Sequence, residues 1–126
     1  MKDKSYNNNQ WTEARFNSFI KGILRAATYK WGPKQSIKKK ARVARGIYLC
    51  AGYSTPPHEV PLTLPPKQGK KRVPNIEVDH IVPVIPKEGF TSWDNVILRM
   101  FCEKEGLQIL CKDCHERKTR DERRND

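Results

Sequence analysis

The chain has 126 residues, enough for one domain with a modest core. Its 25 Lys and Arg against 14 Asp and Glu give a formal charge of +11. That balance, with no apolar run near the roughly 20 residues of a spanning helix, excludes an integral membrane protein and points to a polyanionic partner.

The opening stretch MKDKSYNNNQ lacks the apolar region of a secretory signal, so a cytoplasmic location is expected. Residues 1–10 are polar and repetitive and read as a frayed end. Thr12 stands where an N-cap is needed. From Phe16 the apolar residues Phe19, Ile20, Ile23, Leu24, Ala27 and Trp31 follow the three-and-four spacing of an amphipathic helix, which Gly32-Pro33 ends. A second helix is predicted next. Ile37, Ala41 and Ala44 lie on one side, Lys38, Lys39, Lys40, Arg42 and Arg45 around the rest, and Gly46 follows as its C′ residue.

Ile47 to Cys50 reads as a short strand. Residues 51–74 hold six prolines and the cluster Lys67, Lys70, Lys71 and Arg72, predicting a long loop or hairpin with a mobile basic tip. Asn75 to Val82 is a strand pattern. Ser92 caps a predicted helix whose Val96, Ile97, Met100 and Phe101 face inward. Leu107 to Leu110 reads as a strand, and Lys112 to Arg124 as a charged helix.

The charge is unevenly divided. Residues 1–72 carry 16 Lys and Arg against 3 Asp and Glu, whereas residues 73–126 carry 9 against 11. His58, His80, His115 and three of the four cysteines lie beyond position 55. A basic half suited to phosphate contacts therefore precedes a half rich in metal ligands. A basic run alone also fits a solvated face, and nucleic acid becomes the better reading only with phosphate chemistry downstream.

Two motifs carry such chemistry. Asp79-His80 lies at the end of a predicted strand, where Pro83 marks the exit. Neighbouring strand residues point to opposite faces, so the pair can serve one ligand only where the strand ends or bulges. Cys111-Lys112-Asp113-Cys114-His115 joins a CxxC to a histidine, with Lys118-Thr119 following. A CxxC is a metal knuckle or a redox pair, and the strand-to-helix context favours metal. By itself it supplies half of a tetrahedral zinc site.

Asp-His-Ile-x-Pro, then 23 residues, then Leu-Gln-x-Leu-Cys-x-x-Cys-His-x-x-Lys-Thr resembles the HNH endonucleases over Cys50 to Thr119. Phe19 to Lys34 and Gly89 to Asp94 are similar to segments of the HNH proteins of tailed bacteriophages. The resemblance implies a ββα-metal core in which His80 is the general base. Asp79 and His115 would hold a divalent cation (Mg²⁺, Mn²⁺ or Ni²⁺). Where the family has its central Asn this chain has Gly106, which leaves Asn95 or a backbone carbonyl to orient the base. Relatives with the knuckle pair it with an upstream CxxC, but here Cys50 stands alone and Tyr53 occupies the second place. A structural zinc would then use Cys50, Cys111 and Cys114, with His58 or Cys102 as the fourth ligand.

The expected architecture is α+β: two basic N-terminal helices packed on a ββα-metal (HNH) core with a candidate zinc knuckle. Residues 1–46 form the helical region, and residues 47–126 the nuclease core with its long basic loop 51–74. The expected activity is metal-dependent hydrolysis of DNA phosphodiesters as a nick, with DNA contacts from Lys38, Lys39, Lys40, Arg42, Lys70, Lys71, Arg72 and Lys118. The resemblance adds a packaging terminase as a partner, a monomer or weak dimer, and the cytoplasm of a bacterial host. The alternatives are a non-catalytic zinc-knuckle DNA-binding protein with a degenerate site, and a homing endonuclease.

Overall fold

Thr12 starts α1 (Glu13–Ala27) by accepting a hydrogen bond from the Arg15 N–H on its hydroxyl. The computed structural model describes residues 3–124, and the chain divides between Trp31 and Gly32 into two compact units. In the first unit Tyr6 stacks on Phe16 with ring centroids 4.7 Å apart, and Trp11 meets Phe19 edge-on at 5.2 Å. A backbone bridge joins Tyr6 to Trp11. Residues 6–11 thus form a closed turn on the helix rather than a frayed end, while Met1 and Lys2 lie outside the described residues. A 3₁₀ turn, Thr28–Lys30, follows α1.

The second unit begins with α2 (Gly32–Ala41), which takes Pro33 in its first turn, where a missing N–H costs nothing. The predicted continuation of this helix to Gly46 is not observed. Arg42–Ala44 is instead strand β1, paired with β2 (Ile47–Cys50). The β-branched Val43 suits a strand, and Gly46 at φ +75° turns the chain back, so pairing with β2 outweighs the weak helical pattern.

Within the segment expected to be loop, His58–Pro61 forms β3, giving an antiparallel sheet in the order β1-β2-β3. Prolines hid this strand from the sequence pattern. It is an edge strand, where a missing N–H is tolerated. A two-rung hairpin of β4 (Thr63–Leu64) and β5 (Val73–Pro74) carries residues 65–72 at its tip.

The remaining elements form the expected ββα unit. β6 (Ile76–His80) and β7 (Leu107–Cys111) pair antiparallel, with α3 (Trp93–Met100) and a 3₁₀ turn (Lys104–Gly106) between them, and α4 (Lys112–Arg124) follows directly. Ser92 caps α3 by accepting from the Asn95 N–H. Val96 and Met100 are buried, whereas Ile97 is 43% exposed, so the inward stripe of α3 is narrower than predicted.

The core gathers Cys50, Val60, Leu110, Cys111 and Cys114, with Tyr48, Tyr53 and Ile76 around them. α2 packs on β7. Asn75 ties the parts together: its side-chain amide donates to Pro61 O, and its backbone and side-chain oxygens both face the first N–H of α4. Among the described residues no helix is long and apolar enough to cross a membrane.

Candidate active site and metal centre

The β6–β7 register sets Asp79 opposite Gln108 and His80 opposite Leu107, and β6 ends at His80. Asp79 is 8% exposed, and its Oδ2 accepts from Gln108 Nε2 at 2.8 Å and Lys118 Nζ at 2.5 Å. Its Oδ1 lies 3.9 Å from His115 Nε2 on the first turn of α4. Two donors that far apart can share one cation, because each bond would reach about 2.1 Å. An oxygen and an imidazole nitrogen suit a first-row divalent ion or Mg²⁺. The structure thus brings Asp79 and His115 together.

His80 leaves the strand end on the other side, and its Nε2 lies 2.8 Å from the Met100 carbonyl. A carbonyl only accepts, so Nε2 carries the proton and Nδ1 keeps the lone pair a general base needs. The next residue is tethered too, since the Ile81 N–H donates to Gly106 O at 3.0 Å.

Asn95 does not take the orienting role: its side-chain amide donates to Thr91 Oγ1 at 3.0 Å. The glycine at the family's asparagine position has a packing cause. A Cβ on Gly106 would lie 2.9 Å from Cys102 Sγ, so Cys102 fills the room a side chain would need. Cys102 accordingly belongs to this corner and not to a zinc site.

Lys118, expected on DNA, requires correction. It is 8% exposed, and its ammonium faces Asp79 Oδ2, the His80 carbonyl at 2.8 Å and the Ile81 carbonyl at 3.3 Å. Three protons meet three acceptors, so nothing is left for a phosphate. A polar pattern cannot separate a buried lysine from a surface one. The only sequence signal was its place one turn beyond His115, on the same helix face.

The second centre lies in the core. Ligand atoms of Cys50, His58, Cys111 and Cys114 all fall within 4.8 Å of one another, a set that could hold a metal ion. Three thiols and an imidazole are a zinc donor set, and neighbouring sulfurs around tetrahedral zinc stand about 3.8 Å apart. His58 Nδ1 is 3.0 Å from Pro56 O and so carries its proton there, leaving Nε2 directed at Cys111 Sγ, 3.7 Å away.

His58 thus takes the place that Tyr53 vacates. The Tyr53 hydroxyl instead donates to Asp121 at 2.6 Å. Cys50 Sγ faces the Cys111 and Gly52 N–H groups, and Arg117 donates to Cys114 Sγ at 3.2 Å. Gly52 is at φ +87°, where a Cβ would collide with the Thr55 and Pro56 carbonyls, so the knuckle turn requires glycine.

Burial pushes the Cys50 thiol up to about 11, against the Cys111 and Gly52 N–H groups that favour its thiolate. Burial also pushes Cys114 up, yet it ends below its ordinary value, because the Tyr53 N–H and the Cys111, Cys50 and Thr55 side chains outweigh that effect. Arg117 and Asn75 support this region without any motif that marks them.

The basic residues form two surfaces. Lys38, Lys39, Arg42 and Arg45 line an open groove of about 620 Å³ with Gln35, Tyr48 and Leu62, and no carboxylate is among its lining residues. Lys40 is exposed on the same helix. At the hairpin tip Lys67, Lys70 and Lys71 are exposed, while Arg72 reaches back to Thr63 Oγ1 and O and closes the hairpin base.

Residues 67–121 match the family model described as HNH endonuclease. That stretch is what the chain shares with the HNH endonucleases. The matched stretch includes Asp79, His80, His115, Cys111 and Cys114, whereas Cys50 and His58 precede it. No curated protein and no solved structure matches the chain.

Proposed function

We propose that this HNH protein is a metal-dependent endonuclease that hydrolyses DNA phosphodiesters one strand at a time. The carrying observation is the fixed tautomer of His80, whose Nε2 proton is committed to Met100 O while Asp79 Oδ1 and His115 Nε2 stand together nearby on β6 and α4. His80 Nδ1 accepts the proton of the attacking water, whose oxygen forms the new bond to phosphorus as the bond to the 3′-oxygen breaks. Asp79 and His115 hold the divalent cation, which when bound supplies positive charge to the phosphate oxygens in the transition state. Met100 O and the Gly106–Ile81 bond keep the base in place. One base and one cation site suit one strand.

DNA is held by the groove residues Lys38, Lys39 and Arg42, with Lys40 beside them, and by Lys70 and Lys71 at the hairpin tip. These are exposed ammonium and guanidinium groups clear of the carboxylates around Asp79. Zinc in the Cys50, His58, Cys111 and Cys114 set staples β2, β3 and the start of α4. The test is conversion of supercoiled plasmid to open circle with Mg²⁺, Mn²⁺ or Ni²⁺, lost in His80→Ala while DNA binding persists. Plasmid left intact across all three metals defeats the reading.

A further inference from the structure

Lys118 is buried beside the cation ligands and spends every proton of its ammonium there. His115 and Lys118 are one helical turn apart on α4, so both side chains meet Asp79 from the same face. The two carboxylate oxygens have different partners. Oδ2 accepts from Lys118 at 2.5 Å and from Gln108 at 2.8 Å, while Oδ1 faces His115 at 3.9 Å. The same ammonium faces the carbonyls of His80 and Ile81, so one side chain gathers acceptors from three consecutive residues around the general base.

We propose that Lys118, with Gln108, is a positioning residue for the cation site. It occupies Asp79 Oδ2, so that the carboxylate offers Oδ1 alone, with its charge partly compensated, beside His115. The inference rests on the nuclease reading above and deepens it. A fixed positive charge next to a cation ligand lowers affinity for a divalent ion, so this arrangement does not serve tight binding. It serves geometry: a carboxylate held to one oxygen cannot chelate, which keeps positions on the cation open for substrate. Both donors converge on Oδ2, which leaves Oδ1 as the oxygen turned to His115.

The test is a Mn²⁺ titration by calorimetry on the full-length, zinc-loaded protein, run beside nicking kinetics, with Asp79→Asn defining binding at this site. Lys118→Met removes the repulsion and should tighten Mn²⁺ binding by about tenfold. It should also lower kcat by about tenfold at unchanged KM for plasmid. Gln108→Leu keeps the charge, so Mn²⁺ affinity should hold while kcat falls.

Mn²⁺ affinity and kcat both unchanged in Lys118→Met overturn the proposal, as does Mn²⁺ binding that Asp79→Asn leaves intact. If Lys118→Met does not fold by circular dichroism, Gln108→Leu decides: a lowered kcat at constant KM supports the proposal and a wild-type kcat overturns it. A wild-type protein that binds Mn²⁺ but never nicks DNA defeats the nuclease reading alone, because the affinity comparison between wild type and Lys118→Met still decides the role of Lys118.

Discussion

At the scale of single residues, His80 and its neighbours make the sharpest predictions. With Nε2 committed to Met100 O, the proposed nuclease has only Nδ1 to accept a proton, and His80→Ala should cost about 10²–10⁴ in nicking rate with little change in DNA affinity, read by plasmid relaxation and gel shift. Asn95→Ala should behave differently. It removes one exposed bond to Thr91, worth about 1 kcal/mol of stability, and should leave the rate near wild type. Gly106→Asn restores the residue usual in the family, yet the new side chain must enter space held by Cys102. Overpacking of this kind costs about 1–3 kcal/mol, and the added change Cys102→Ala should return most of it, measured as recovery of the denaturation midpoint.

At the scale of elements, the cluster of Cys50, His58, Cys111 and Cys114 shows both the reach and the limits of the sequence. β2, β6, β7, α3 and α4 were legible because each has a local pattern or cap: alternation in Asn75 to Val82, Ser92 before α3, the knuckle at the start of α4. β1 and β3 were not. Arg42–Ala44 could continue a helix, and only pairing with Tyr48 and Ile47 makes it a strand. His58–Pro61 is interrupted by proline, and only its edge position beside β2 admits it. For the same reason, choosing between His58 and Cys102 needed the β2–β3 register, which sets His58 opposite Cys50. Among the described residues, three of the five buried residues in the core cluster are the cysteines of this site, so the site is part of the core. Chelator treatment or Cys114→Ser should therefore lower the melting temperature by roughly 10 °C or more. Elemental analysis of protein purified without added metal should find zinc in the wild type and a deficit in Cys114→Ser. Gly52→Ala should reproduce that deficit, because its strain falls on the knuckle turn.

At the scale of the whole molecule, the charge of +11 resolves into a division of labour. The first 72 residues hold 16 of the 25 basic side chains, whereas Lys112, Arg117 and Lys118 on α4 pair with carboxylates between Asp79 and Glu122. Those three cations are thus spent on internal carboxylates, with Lys118 the extreme case, whereas the lysines of the groove and hairpin tip remain available to a polyanion. The salt dependence of DNA binding should report this difference. Each lost phosphate contact on duplex DNA flattens the slope of log K against log salt by about 0.9. Replacing Lys38 and Lys39 with Gln, or Lys70 and Lys71 with Gln, should each flatten the slope by up to about 1.8, and the two pairs should add because they lie on separate surfaces. Lys112→Gln, which removes a cation already paired with Glu116 on α4, should leave the slope unchanged. Arg72→Gln should act through the hairpin instead, since its guanidinium closes the β4–β5 base at Thr63; it should weaken binding with a smaller change in slope than the Lys70 and Lys71 pair. A slope that responded equally to Lys112 and to Lys70 would mean that total charge, and not its placement, governs DNA binding.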